Sequence, residues 1–187
     1  VTVPGAVSAW VELSRKFGRL PFAKLFESAI HYAENGYQVG PKTGYYWRFA
    51  PKQFKAFDSF MATFCPGGKA PEIGSVIQLK DHARSLQTIA ETKGESFYRG
   101  ELADRMIQHS SAYGGVMTHE DLELHQCDWV GTLSQQLAGT DVLLHEIPPN
   151  GQGLLALIAL GIVNHLDLAN FSLDSADSVH LQIEATR

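Results

Sequence analysis

The sequence predicts a mainly α fold with one small antiparallel β-hairpin, and three observations carry the prediction. Apolar residues recur at three- and four-residue steps through most of the chain ahead of Trp129. Strand formers then gather in two runs, Val130 to Leu137 and Asp141 to Ile147, on either side of Ala138-Gly139-Thr140. Last comes an apolar run, Leu154 to Val163, far short of the roughly 20 residues a membrane span needs, so it reads as a core helix.

Taken in order, Val7, Trp10, Val11 and Ser14 share one helical face, with Gly18 placed for a left-handed C-terminal cap. Pro21 suits a first helical position, and Phe22, Leu25, Phe26, Ala29, Ile30 and Ala33 continue a second helix until Asn35-Gly36. From Tyr45 to Phe64 the chain is crowded with aromatics, interrupted by Pro51, which breaks or restarts a helix. With few cations beside them, these rings are expected in the core rather than against a flat ligand or a base. Cys65 to Pro71 is a loop whose glycines lack the preceding strand and the Gly-Lys-Ser/Thr ending of a phosphate loop.

Asp81 is expected to cap a helix carrying Ala83, Leu86, Ile89 and Ala90 and ending near Gly94. Another helix follows Gly100, with Leu102, Met106 and Ile107 inward, and stops at Gly114-Gly115. Thr118 with Asp121 reads as a capping box for a short helix through Leu122 and Leu124. After the hairpin, Pro148-Pro149 ends the second strand, because proline cannot donate to the ladder, and Asn150-Gly151-Gln152-Gly153 turns into the apolar helix. That helix has no polar face. Each of its side chains contributes roughly 1.5 to 3 kcal/mol when fully buried, so packing on several sides is expected, some of it from chain outside this sequence. Ser175 to Arg187 reads as a helix still running at the last residue, and Val1 is no initiator methionine. The expectation is a single domain, 1–187, truncated at both ends.

Composition narrows the function classes. The 187 residues are 44% hydrophobic and 19% charged, which suits a globular domain with a real core. A net charge of -5 and a pI near 5.9 offer no basic stripe for nucleic acid and no cationic face for a membrane surface. Cys65 and Cys127 are too few for a disulfide framework and are expected to be free thiols.

Catalytic motifs are missing: there is no Gly-x-Ser-x-Gly elbow, His-Glu-x-x-His, Cys-x-x-Cys or dinucleotide fingerprint. His119, Glu120, Asp121, His125 and Cys127 crowd together with ligand-type side chains, but their spacing matches no familiar zinc pattern, so no metal site is assigned. Glu120 and Asp121 are neighbours that cannot share a proton, and helix-start electrostatics accounts for them. Ser110 and Ser111 beside His109 point apart on a helix, so no nucleophile and base are assigned there. The segment whose composition exceeds structural need is the strand-to-helix turn. Asn150, Gly151, Gln152 and Gly153 are its candidate substrate-binding residues, since exposed amides at a helix N-terminus suit an anion; a plain tight connection is the other reading.

The order of short blocks adds a resemblance. Val3-Pro4-Gly5-Ala6-Val7, Phe17-Gly18-Arg19-Leu20-Pro21-Phe22 and Ala29 to Gly36 come first, followed by Leu86 to Gly100 with its Phe97-Tyr98-Arg99-Gly100. Gly114 to Thr118 with Asp121-Leu122, then Glu146 to Gly153, then Ser175-Ala176-Asp177 with His180 to Ala185 complete the series. In this order the chain resembles an internal piece of the large-subunit region of the gamma-glutamyltranspeptidase (gamma-glutamyltransferase, glutathione hydrolase) family.

The resemblance implies an N-terminal-nucleophile hydrolase of αββα architecture. Its precursor cuts itself to expose a threonine whose hydroxyl attacks a gamma-glutamyl amide such as glutathione, its own amine serving as base, for hydrolysis or transfer. It implies no metal or organic cofactor. The implied partners are a gamma-glutamyl substrate and the remaining large- and small-subunit segments of the same precursor. It places the threonine and the oxyanion segment downstream of Arg187 and the carboxylate-gripping arginine upstream of Val1. No catalytic residue is therefore carried onto this sequence, and the piece alone is expected to be inactive. The Asn150 to Gly153 turn is similar to a branch with acylases of glutaryl- and cephalosporin-type side chains, which is the alternative within the family. Leu137 to Asp141 also lacks the tyrosine- and arginine-containing turn often found there. For compartment the resemblance implies the periplasm or the exterior, with the cytoplasm open to this branch. A reading from another class is a helical interaction module, its apolar helix and aromatic stretch forming a partner-binding face.

Overall fold

The computed structural model describes residues 2–148 and 151–187. Their chain contacts divide into two compact units, Val1–Cys127 and Asp128–Arg187. The first unit is mainly helical with one short strand pair, the second a hairpin with two α-helices, in keeping with the mainly α expectation.

The first unit opens with α1, Ala6–Phe17. Gly18 follows it but is extended (φ -67°, ψ 141°), not left-handed as the sequence suggested. Glycine is needed there for space: a Cβ would lie 2.3 Å from the Ser14 carbonyl oxygen. The second predicted helix is in two parts, a 3₁₀ turn over Phe22–Phe26 and then α2, Glu27–Asn35. The Phe22 and Phe26 rings meet edge to face at 4.9 Å and bring the tight turn onto the core.

Gly36 ends α2 at φ 97°, where a side chain is strained, and a Cβ would strike Val76 at 2.5 Å. That close approach starts a two-stranded antiparallel pair absent from the sequence reading. Here β1, Tyr37–Gln38, pairs with β2, Val76–Ile77, in the register Tyr37 to Ile77 and Gln38 to Val76.

Between these strands lie α3 (Pro41–Trp47), α4 (Ala50–Gln53) and α5 (Asp58–Phe64), with Pro51 restarting a helix in the first turn of α4. The aromatic stretch is less buried than its composition suggested. Phe54, Phe60 and Phe64 meet in series as tilted rings at 4.4 and 4.8 Å, whereas Tyr45, Tyr46, Phe49 and Phe57 are about half exposed. The Arg48 guanidinium lies over the Tyr45 and Phe49 rings at 3.9 and 4.7 Å, which keeps those faces at the surface.

Next come α6 (Lys80–Thr92), α7 (Glu95–Arg99), α8 (Glu101–Ala112) and α9 (His119–Glu123). Asp81 is not the cap of α6: Leu79 holds that position, its N–H bonded to the Ala33 carbonyl at 2.7 Å, and Asp81 pairs with Arg84 one turn on. The Thr118 and Asp121 capping box is complete at α9. Helix α2 packs along α6, and α7 contacts both α8 and α9. Val7, Phe26, Ile89, Ala90, Tyr98, Ala103 and Leu122 form the buried core, with Leu122 fully excluded from solvent.

In the second unit β3, Leu133–Gln136, and β4, Leu143–Glu146, form the expected antiparallel hairpin, shorter at both ends than the runs of strand formers. The apolar run is α10, Gly153–Val163, and the last helix is α11, Ala176–Thr186, capped by the Ser175 side chain. α10 packs on α11 and on β3, but only Leu157 and Ala159 are buried; Leu154, Leu155, Ile158 and Ile162 stay 44 to 61% exposed. No helix among the described residues is long and apolar enough to cross a membrane.

Candidate functional site

The turn into α10 is built on one close approach. Gly153 starts the helix against β4, where a Cβ would lie 2.4 Å from Glu146 Oε2 and 2.6 Å from Glu146 Cβ. The Glu146 carboxylate thus sits at the helix N-terminus, the end that favours negative charge. Gln152 precedes the helix, and its carbonyl accepts the Ala156 N–H at 3.1 Å. Gly151 and Gln152 are exposed. Asn150 and Pro149 lie outside the described residues. At the other end of α10, Asn164 ties the helix to the hairpin. Its Oδ1 accepts the Ala138 N–H at 2.9 Å and its Nδ2 donates to the Gln136 carbonyl at 2.6 Å.

A second constellation lies inside the first unit. Ser8, in the first turn of α1, donates its hydroxyl to the Gly5 carbonyl at 2.8 Å. The same oxygen stands 2.8 Å from His125 Nε2 and 2.9 Å from Cys127 Sγ. The Tyr98 ring stacks on the His125 imidazole at 5.1 Å, and the Tyr98 hydroxyl accepts the Ser8 N–H at 3.0 Å while donating to the Pro4 carbonyl at 2.8 Å. Gly5 leaves room for the imidazole, since a Cβ there would meet His125 Cε1 at 3.3 Å. These groups line a cleft of about 340 Å³, whose rim carries Glu12 and Glu95 with Lys93 and Arg99.

The crowd of ligand-type residues read from the sequence is therefore divided. His119 Nε2 pairs with Asp104 at 2.9 Å, Asp121 is taken up by the capping box, and His125 and Cys127 turn together toward α1. Ser8 and Tyr98, separated from this segment by long stretches of sequence, gave no local signal. Both cysteines are free thiols. Cys65 is buried, and desolvation pushes its thiol pKa up, partly offset by a hydrogen bond with Trp47.

The profile of the gamma-glutamyltranspeptidase family matches residues 1–187. The chain belongs to the gamma-glutamyltranspeptidase family. Among curated members, this family chain is 33% identical over 190 residues to the Glutathione hydrolase-like YwrD proenzyme of Bacillus subtilis (strain 168), covering all of the chain and 35% of that protein. It is 37% identical over 193 residues to the Oxamate amidohydrolase proenzyme of Klebsiella pneumoniae, covering all of the chain and 36% of that protein. Among solved structures, cephalosporin acylase from Bacillus halodurans superimposes with a TM-score of 0.92 at 44% identity, over all of this chain and 35% of that one. The chain spans about a third of the length of these relatives.

Proposed function

We propose that this chain is scaffold from the large-subunit region of a self-processing amide hydrolase or transferase. In that reading a threonine supplied by the remaining precursor attacks a gamma-glutamyl amide such as glutathione. The observation that carries the reading is the family match over all 187 residues, reinforced by relatives named as proenzymes. Both units then belong to one catalytic domain, and the remaining segments of the precursor are the chain's partners. Within this reading the substrate-contacting part of the chain is the Asn150 to Gly153 turn, and the isolated 187 residues have no activity.

A second reading of substrate, an acylase of glutaryl- or cephalosporin-type side chains, is favoured by the 44% identity with the Bacillus halodurans acylase. One experiment addresses both. The full-length precursor is incubated and followed by gel for self-cleavage, then assayed on a gamma-glutamyl anilide and on a glutaryl amide. Cleavage into two subunits with faster turnover of the gamma-glutamyl substrate supports the first reading, and faster turnover of the glutaryl amide supports the second. A precursor that never cleaves and turns over neither overturns both and leaves the interaction module.

A further inference from the structure

Helices α3 and α4 bury one face and leave the other open. Gly44 and Ala50 are buried, and Ile73 lies so close to Gly44 that a Cβ there would be 2.6 Å from its side chain. Lys42, Tyr45, Tyr46 and Phe49 follow the three- and four-residue steps of the opposite face, and all four are exposed. Their rings meet edge to face, Tyr45 with Tyr46 at 5.2 Å and Tyr45 with Phe49 at 5.9 Å, so they form one continuous patch. Among the described residues neither of these tyrosine hydroxyls has a hydrogen-bond partner.

Positive charge gathers in the same segment. Residues 35–57 hold Lys42, Arg48, Lys52 and Lys55 and no Asp or Glu, in a chain whose 15 Lys and Arg against 20 Asp and Glu leave a net charge of -5. None of these four cations enters an ion pair among the described residues, whereas Arg15, Lys24, Arg84, Arg99, Arg105 and Arg187 each face a carboxylate three or four positions away. The loop that carries Ile73 adds one acid, Glu72. Arg48 lies over the Tyr45 and Phe49 rings at 3.9 and 4.7 Å, which holds its guanidinium within the patch and leaves its N–H fork without a carboxylate.

We propose that this surface binds an acidic polypeptide segment, one rich in Asp and Glu. Arg48 supplies a two-pronged donor matched to a carboxylate, and Lys42 and Lys52, before and after it along the chain, add point charges. The free hydroxyls of Tyr45 and Tyr46 donate to further carboxylates, while the rings give area to apolar side chains between them. Tyrosine and arginine are the side chains that carry most of the energy at protein interfaces. Charge complementarity selects this partner. Nucleic acid brings an extended line of phosphates up to a chain of net negative charge, and its affinity rests on many cations at once. A short acidic segment needs only the few cations gathered here. The proposal uses no residue of the turn into α10 and is independent of which amide the parent enzyme cleaves.

Full-length precursor titrated into a fluorescein-labelled deca-glutamate peptide at low salt tests it by fluorescence anisotropy. The expected result is a saturable rise that weakens as salt is added. Arg48→Glu combined with Lys52→Glu weakens binding by about tenfold or more, and Tyr46→Ala by about fivefold or more. Arg19→Glu, at an exposed cation outside the patch, leaves binding unchanged. Circular dichroism checks that each variant is folded, and if the double charge reversal is not, Arg48→Gln with Lys52→Gln takes its place. A folded wild-type protein that gives no rise, or a double variant that binds as well as the wild type, overturns the proposal. Tighter binding of an oligothymidylate of equal length also overturns it and makes the surface one for single-stranded nucleic acid.

Discussion

The Tyr98 hydroxyl accepts the backbone N–H of Ser8 at 3.0 Å, joining α7 to the first turn of α1 across 90 positions of sequence. The Ser8 N–H is one of the donors that a helix leaves without an internal partner, so the tyrosine completes the start of α1. Its own proton goes to the Pro4 carbonyl. Tyr98→Phe keeps the ring and removes both bonds, leaving a part-buried amide and carbonyl unpaired. The expected loss is about 1 to 3 kcal/mol, read as a lower urea midpoint with unchanged slope.

Gly153→Ala is expected to destabilise the second unit. The added carbon would fall on the Glu146 side chain, and relief requires the start of α10 or the end of β4 to move. Overpacking of this kind costs about 1 to 3 kcal/mol. Combining it with Glu146→Gly removes the collision, so thermal melts of the double-mutant cycle will show a smaller loss than the two single changes added together.

Asp121 titrates below the usual carboxylate range, first because it accepts the Thr118 backbone N–H and second because it accepts the Thr118 hydroxyl. A depressed folded pKa contributes stability that is present above the unfolded value of about 3.9 and is lost as pH falls through the folded value. NMR titration of the Asp121 carboxyl will show the low midpoint. Thr118→Val keeps the backbone bond and removes the hydroxyl, and will raise the midpoint part of the way.

The two thiols will separate in alkylation. Cys65 is 1% exposed and burial raises its pKa, so at neutral pH it is both shielded and short of thiolate. Cys127 faces a cleft. Peptide mass spectrometry after iodoacetamide in metal-free buffer will find Cys127 modified first, and Cys65 will follow only on unfolding.

Features set by neighbouring residues were legible in the sequence. The capping box needs only Thr118 and Asp121, and the hairpin needs only two runs of strand formers about a glycine turn, so both appear where expected. Features set by distant partners were not. The β1 and β2 strands are two residues each and exist because Gly36 lets Val76 approach, a contact no local pattern encodes. Asp81 looked like a cap by residue type, but the Leu79 bond to Ala33 moved the helix start ahead of it. The cleft shows the same division. His125 and Cys127 stood out by chemistry, whereas the serine that joins them is 117 positions from the histidine. Their spacing along the chain was therefore the wrong measure of their proximity.

The half-exposed leucines and isoleucines of α10 bear on how this segment behaves in a tube. Without a cover, Leu154, Leu155, Ile158 and Ile162 give the helix a greasy flank on which copies adhere as concentration rises. Light scattering will then climb with protein concentration while circular dichroism still reports an intact helix, and handling losses will reflect stickiness before unfolding.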